Sequence, residues 1–569
     1  MSVGVVGSGS AVEAVTAALA DASAAVVETD ADAIDETDVA VVTGQAGASV
    51  FETANRTARR ADRPWLAVEL GGVGGYPVVD AAVSGFAPET GCYACLADRV
   101  GSNVDPDSEP HSPPDPSTAR FAGALAGRLT VAHLDGDDAV FGTVIEVPHA
   151  RRSFLSVPHC ACGTEPDWSL PGEHVDRPLA DALGRAERAL DERVGIVGEV
   201  GEAESYPAPY YLARLCDTSG FSDATAAANA AGVDADWNAA FMKALGEGLE
   251  RYCAGVYRID RLTEATVDAV ADAVSPSSFV RRGDPDVPDD EPLSWVPAED
   301  LATGRAVSVP AEFVYYPPPE RRFRPAITTG LGLGNSGVEA VLSGLYEVIE
   351  RDAAMLSWYS TFDPLELAVG DDDAYRTLAR RAGVEDLETT ALLLTQDVDV
   401  PVVAVAVHRE SFPKLALGSA ASLDPVDAAR TALAEALQNW VELRGMGPED
   451  AADADGAIGR YATDSDPFWD AMEPSQQVPA ASIGPDADLG GRAELEAVVE
   501  RVTNADCDAV AARTTTRDVA ALGFEAVRVL VPAAQPLFFG DAYFGDRAET
   551  VPATLGFEPR LDRRHHPFP

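Results

Sequence analysis

Two short segments carry the same set of chemical groups. Glu247, Glu250 and Arg251 stand in ALGEGLERY, and Glu347, Glu350 and Arg351 stand in LYEVIERD. Positions i, i+3 and i+4 share one face of a helix, so each segment projects two carboxylates and a guanidinium the same way. One Glu-x-x-Glu-Arg alone is ordinarily a solvated face laced with ion pairs. Two such faces turned toward each other would repel unless a cation lay between them. A divalent metal carrying a nucleoside triphosphate meets that need. Lys243 stands one turn before Glu247; it and Lys414 are the only two lysines in the chain. It either pairs with Glu247 at i, i+4 or touches a phosphate.

The elements that must hold these groups are helices. Phe241, Leu245, Leu249 and Tyr252 form an apolar stripe behind the first set, and Val341, Leu345, Ile349 and Leu356 behind the second. Ser336, Ala340, Ser343 and Gly344 border the second acidic stripe with small side chains, and Glu339 falls near it. The glycine loop TTGLGLGNS leads into that helix. Such a loop brings backbone N–H groups and a helix N-terminus close to an anion. Asn335, near the helix start, is either part of that arrangement or a plain cap. A third helix, DAARTALAEALQNWVELRG, sets Glu435, Gln438 and Glu442 on one face and Leu433, Leu437 and Trp440 on the other. Glutamine there offers both amide donors and an acceptor.

The wider chain has 569 residues, with 93 acidic against 42 basic side chains and a net charge of -51. Hydrophobic residues make up 46%, so the chain is globular and long enough for more than one domain. The acid excess argues against nucleic acid and against anionic membrane surfaces as partners. Together with the scarcity of lysine it fits a salt-rich cytoplasm, the habit of a halophile. The start, MSVGVVGSGS, has no basic region of a signal peptide, and no apolar run reaches the ~20 residues of a membrane span. A cytoplasmic location is expected. Seven cysteines in so long a chain do not make a disulfide scaffold.

The opening VGVVGSGSAVEAVTAALAD reads strand, glycine turn, helix. VVETD, DVAVVTG and PWLAVEL supply further strands, with a helix near 51–60, so a parallel, Rossmann-like sheet is expected. Gly7 and Gly9 begin a dinucleotide fingerprint, but Val12 stands where its third small residue belongs, and an ordinary strand-to-helix turn explains them equally. Residues 102–118, rich in Pro, Asp and Ser, read as a flexible surface loop, and a second break at 165–178 marks the domain boundary. No short-period repeat is evident.

The segments AFMKALGEGLERY, TTGLGLGNSGVEAVLSGLYEVIERDAAMLSW and AARTALAEALQNWVELRG together closely resemble the YcaO family signature, in the family's order. The resemblance covers roughly 180–569 and implies an α+β ATP- and Mg2+-binding catalytic domain. It implies that Glu247 pairs with Glu347 and Glu250 with Glu350 to hold Mg2+ on the triphosphate. Asn335, Glu339, Arg351, Glu435 and Gln438 match further nucleotide-site positions, and Lys243, standing where the family commonly has a serine, joins Arg251 as a further candidate nucleotide contact. It also implies the reaction. A nucleophile adds to a peptide carbonyl, ATP phosphorylates the oxyanion, and phosphate leaves. A neighbouring Cys, Ser or Thr yields an azoline, whereas external sulfide yields a thioamide. Members often end in Pro-x-Pro-x-Pro, whose carboxylate reaches the active site. Here Pro567 and Pro569 remain and His565 replaces the first proline, which makes Pro569 and Arg351 the catalytic candidates.

Residues 1–170, through GFAPETGCYACLADR and VPHCACG, resemble the degenerate adenylating-enzyme-like partner domain fused to many such cyclodehydratases. That domain binds zinc and helps present the peptide. Cys92-x-x-Cys95 and Cys160-x-Cys162 would supply four thiolates to zinc, with His159 an alternative ligand. The expected fold is thus an α/β N-terminal domain with a parallel sheet and a zinc site, followed by an α+β domain. Expected partners are a peptide or protein substrate, a dehydrogenase or sulfur donor, and a second copy in a homodimer. A catalytically weak ATP-binding scaffold is the competing reading.

Overall fold

The computed structural model describes residues 1–104, 114–163, 167–283, 291–370, 372–453, 457–485 and 489–569. Much of the loop expected over 102–118, and the start of the break at 165–178, lie outside the described residues. The flanks of that loop are helical: Tyr93–Gly101 precedes it and Pro116–Leu134 follows, the latter capped by the Asp115 carboxylate.

The first sheet has seven strands: β1 Ser2–Val6, β2 Ala25–Glu28, β3 Val39–Gln45, β4 Trp65–Leu70, β5 Ala81–Phe86, β6 Thr143–Glu146 and β7 Ala150–Ser153, in the order β2-β1-β3-β4-β5-β6-β7. Strands β2, β1, β3 and β4 are parallel. The remaining pairs, β4–β5, β5–β6 and β6–β7, are antiparallel. The sheet is therefore mixed, not the parallel sheet expected from the opening βαβ pattern. The reason is the connection after β4. A parallel return needs a helix-length crossover, but residues 71–80 are too few to hold one and turn the chain straight back. Alternation along the strands buries both faces. Val3, Val5, Leu66 and Val68 face helices Ser10–Asp21 and Pro116–Leu134, while Val6, Trp65 and Ala67 face Ser49–Ala61 and Tyr93–Gly101.

The second half builds a three-stranded antiparallel sheet, β8 Val197–Glu204, β9 Tyr210–Leu215 and β10 Asn229–Val233, and two larger sheets. Three helices dominate it. The first acidic helix, Trp237–Gly255, lies on β10. The second, Gly337–Trp358, lies on the strand Leu331–Gly334, and the third, Pro425–Asp453, on the strand Leu415–Ala421. Each underlying strand holds a glycine where the helix crosses. A Cβ on Gly232 would stand 2.2 Å from the Ala244 nitrogen, on Gly332 2.2 Å from the Ala340 carbonyl oxygen, and on Gly418 2.3 Å from the Ala432 carbonyl oxygen. The helices sit on their strands as closely as backbones allow.

The two halves are not joined by a loose linker. Cys92, Cys95 and Val157 share one apolar cluster with Leu245, Leu249, Tyr252 and Val519. At its centre, Arg99 and Asp518 form an ion pair whose side chains are both fully buried.

Candidate nucleotide site and four-cysteine cluster

The three strand–helix units bring their acidic stripes to one place. A cavity of about 500 Å3 is lined by Lys243, Glu247 and Glu250 from the first helix, Glu339, Glu350 and Arg351 from the second, and Glu435 and Gln438 from the third. Asn335 lines it from the glycine loop. Glu347 completes the set by standing within electrostatic reach of Glu250, Glu350, Arg251 and Arg351.

The units anchor their carboxylates alike. A backbone N–H of each underlying strand, or of the residue just before it, donates to the helix's glutamate. Ala231 N–H donates to Glu247 Oε2 at 2.9 Å, Gly330 N–H to Glu347 Oε2 at 2.9 Å, and Ser419 N–H to Glu435 Oε2 at 2.7 Å. One oxygen of each is fixed by main chain, and the carboxylate plane is thereby oriented. Arg251 donates to Glu247 and Glu250 at 3.0 Å each. Ser419 Oγ donates to Glu350 at 2.6 Å, and Arg351 lies 3.4 Å from Glu350 and 3.8 Å from Glu435.

Six glutamates share the site with two arginines, Arg251 and Arg351, and the environment shows in their acidity. Burial pushes Glu250 up to about 7 against the pull of Arg251, with Glu347 and Glu247 adding to the rise. Burial likewise pushes Glu350 up to about 8 against Arg351, with Glu435 and Glu347 adding to it. Glu435 is raised for the same first reason. A divalent cation between these groups would remove the repulsion. Asn335 Oδ1 is buried without a partner at the cavity wall, a polar atom that a nucleotide's donors could meet. The residues present therefore fit a nucleoside triphosphate with Mg2+.

Some details differ from the sequence expectations. Lys243 pairs with Asp234 at 2.7 Å rather than with Glu247, because the loop before the helix brings that carboxylate to it. Asn335 is not the helix cap. Ser336 is, accepting from Glu339 N–H at 3.3 Å, while the Glu339 carboxylate reaches back to accept from the Asn335 backbone N–H at 2.9 Å. Gln438 donates to Glu442 Oε1 at 3.1 Å, and the Tyr210 hydroxyl donates to the same oxygen at 2.6 Å. Sequence reasoning missed Ser419 and Arg528. Arg528 is 2% exposed, donates to the Thr328 and Ile327 carbonyls, and is pushed down to about 9 by burial and Arg324. An arginine inside the apolar run AVRVLVP was the available signal.

The end of the sequence enters this half. Trp358 Nε1 donates to the Arg564 carbonyl at 2.8 Å, Tyr461 to the His565 carbonyl at 2.7 Å, and Phe568 is 1% exposed. Arg351 Nη1 donates to the Pro569 carbonyl oxygen at 2.8 Å, so the same guanidinium touches the acidic cavity and the chain end.

Cys92, Cys95, Cys160 and Cys162 form one cluster whose sulfurs all lie within 4.8 Å of one another. Cys92 is 3.9 Å from Cys95 and 3.7 Å from Cys160, and Cys95 is 3.4 Å from Cys162. A tetrahedral ion with Zn–S bonds of about 2.3 Å sets S···S at about 3.8 Å, which these spacings fit. Arg517 donates to Cys162 Sγ at 3.2 Å, a cation suited to thiolate. His159 is not part of the cluster.

No helix among the described residues is long and apolar enough to cross a membrane. Residues 231–535 match the YcaO cyclodehydratase family, described as ATP- and Mg2+-binding. An uncharacterized protein of Methanothermobacter thermautotrophicus is 34% identical over 220 residues, which cover 37% of this chain and 56% of that relative. The chain spans about half the length of the curated relatives it matches. A structure described as a heterocyclase in complex with substrate and cofactor superposes with a TM-score of 0.76 at 20% identity, covering 100% of this chain and 85% of the other. The structure of the heterocyclase TruD gives 0.70 at 20% identity, covering 100% and 84%. The last two are likenesses of fold. With the match spanning all three acidic helices and the strands beneath them, the chain belongs to the YcaO family.

Proposed function

We propose that this chain uses ATP and Mg2+ to activate a backbone amide of a peptide, and that the product is an azoline ring formed from a Cys, Ser or Thr side chain. One observation carries the reading: carboxylates from three helices meet around a single cavity, already oriented by main-chain N–H groups. In this reading Glu247 with Glu347, and Glu250 with Glu350, hold Mg2+. The bound metal would supply positive charge to the triphosphate oxygens.

The chain's own residues do the rest. Strand N–H groups and Ser419 fix the carboxylates before any ligand arrives, so little reorganisation accompanies binding. Asn335, Glu339, Glu435 and Gln438 orient the nucleotide, with Lys243 and Arg251 at its rim. Arg351 stabilises the charge that develops as phosphate passes to the amide oxygen. Where Pro569 is the last residue, its carboxylate is held by Arg351 and serves as the base that takes the nucleophile's proton. The four cysteines hold zinc as a closed structural site and leave no open position for chemistry.

Calorimetry of ATP with Mg2+ tests the binding. Glu347→Gln and Glu350→Gln are expected to weaken it at least ~10-fold, the scale of losing one charged contact. Unchanged affinity in both variants rejects the site. Mass spectrometry of Cys-, Ser- and Thr-bearing peptides then tests the chemistry. Loss of one water, dependent on ATP, is expected, and a sulfur-for-oxygen exchange would replace azoline by thioamide.

A further inference from the structure

A second cavity, of about 540 Å3, lies on the seam between the two halves. Its wall inverts the charge of the molecule. The chain has 93 acidic and 42 basic residues, yet this cavity is lined by Arg258, Arg261, Arg513 and Arg517, with Asp167 the one carboxylate among the described lining residues. Arg513 is anchored by Glu525 at 2.8 and 3.0 Å, and Arg517 by the Val157 carbonyl and Cys162. Arg258 meets Asp223 through Nη1 at 2.7 Å and keeps 40% of its side chain exposed. A guanidinium has five N–H donors, so that one contact orients the head without exhausting it.

Two polar atoms of the lining residues are buried without a partner, Thr514 Oγ1 and His159 Nε2. Thr514 is 6% exposed, and an unmet hydroxyl so placed is costly unless something else meets it. The remaining wall is aromatic. Trp168, Tyr257 and Tyr315 line it, and the two tyrosine rings stack with centroids 4.3 Å apart. Guanidinium and hydroxyl donors beside an aromatic wall suit an oxyanion carried on an organic body better than a bare ion.

We propose that this cavity binds an acidic residue of the polypeptide substrate, its carboxylate on Arg258 and Thr514 and its neighbouring apolar side chain on Tyr257 and Tyr315. The proposal rests on the peptide reading of the nucleotide site. Position supports it. Val256, Tyr257 and Arg258 follow directly on the helix that carries Glu247 and Glu250, so a peptide held here is tethered within one helix length of the amide-activating site. His159 and Cys160 contribute from the other half, so both halves grip the same ligand.

The test uses the full chain and a fluorescein-labelled peptide with adjacent Asp and Phe residues, compared with its Asn counterpart, inorganic phosphate and pyrophosphate. Anisotropy should show the acidic peptide binding at least ~10-fold more tightly than the Asn peptide, since a hydrogen-bonded charge is being recognised. Thr514→Val and Arg258→Gln should each weaken it ~10-fold. Thr514→Val should not lower the melting temperature, because it removes an unmet hydroxyl at nearly constant volume. Equal binding of the two peptides, or unchanged binding by both variants, overturns the proposal. Phosphate or pyrophosphate binding here in place of the peptide overturns it in favour of an inorganic-anion site. ATP with Mg2+ is titrated in parallel: both variants should bind it as the parent does. A parent chain that binds the acidic peptide but no ATP refutes the nucleotide reading and leaves the cavity standing.

Discussion

A glutamate beside other glutamates is a poised group, and Glu350 shows the consequence. Burial, Glu435 and Glu347 raise it to about 8 although Arg351 opposes them. The native state therefore holds a proton that the unfolded chain has released, in the window between the ordinary carboxylate value and about 8. Stability that depends on Glu350 is present below that window and is lost as pH rises through it. The metal-free protein should melt at progressively lower temperature across that range, and Glu350→Gln should flatten its share of the slope. Thermal melts over a pH series, parent against variant, check this; parallel curves would refute it. Asp518 illustrates the opposite arrangement, a buried charge fully matched. It accepts from Arg99 and from Tyr252 at 2.7 Å. Asp518→Ala strands a buried guanidinium and should cost about 3–5 kcal/mol, whereas Tyr252→Phe, which leaves the pair intact, should cost about 1 kcal/mol. Denaturant titration would separate the two.

At the scale of elements the recurring object is a strand carrying a glycine, a helix laid on it, and a glutamate tied back to a main-chain N–H of the strand or its lead-in. Glu247 follows Gly232 and Glu347 follows Gly332 by the same interval. The helices were legible in the sequence because their stripes repeat at helical spacing, and with them the glutamates that line the cavity, though not Ser419. The anchors were not. A strand N–H belongs to every residue type, so nothing in AAGV or LGSA announces a donor to a carboxylate. The antiparallel turn after β4 and the Lys243–Asp234 pair were hidden for a related reason: each depends on where a loop returns, which periodicity does not encode. The geometry of the unit makes a prediction. A side chain at Gly418 would drive into the Ala432 carbonyl and Ala436 nitrogen, backbone atoms that cannot step aside. Gly418→Val should therefore displace the third helix with Glu435, cost at least the ~1–3 kcal/mol of overpacking, and abolish ATP binding. Gly248→Ala is the control. Its Cβ would meet Leu215 and Val197 side chains at 3.5 Å, ordinary contact, so helix propensity should leave it neutral or up to ~1 kcal/mol more stable. Equal damage from both would show that the close approach is not what seats the helix.

For the whole molecule the question is whether the two halves act as one. Three kinds of contact cross the seam: the shared apolar cluster, the Arg99–Asp518 pair, and Arg517 on the cysteine sulfurs. Arg517 and Asp518 are neighbours in sequence, and Tyr252 follows Arg251, which holds Glu247 and Glu250. A continuous set of contacts therefore runs from the four sulfurs through Arg517 and Asp518 to Tyr252 and the first acidic helix. Under the proposed zinc site, removing the ion would leave four thiolates unmatched, and their mutual repulsion would have to be relieved by protonation or by movement. Movement of Cys95 is movement of the helix that bears Arg99. Chelation should for this reason do more than lower the melting temperature of the N-terminal half. It should also weaken ATP binding at the acidic cavity, with the effect transmitted through Tyr252 to the first acidic helix. In Tyr252→Phe, zinc removal should change ATP affinity less than it does in the parent chain, because one link is already gone. Calorimetry of ATP with Mg2+, with and without a zinc chelator too weak for the Mg2+ present, measures all four states. An ATP affinity indifferent to zinc in the parent would establish that the cluster serves the N-terminal half alone.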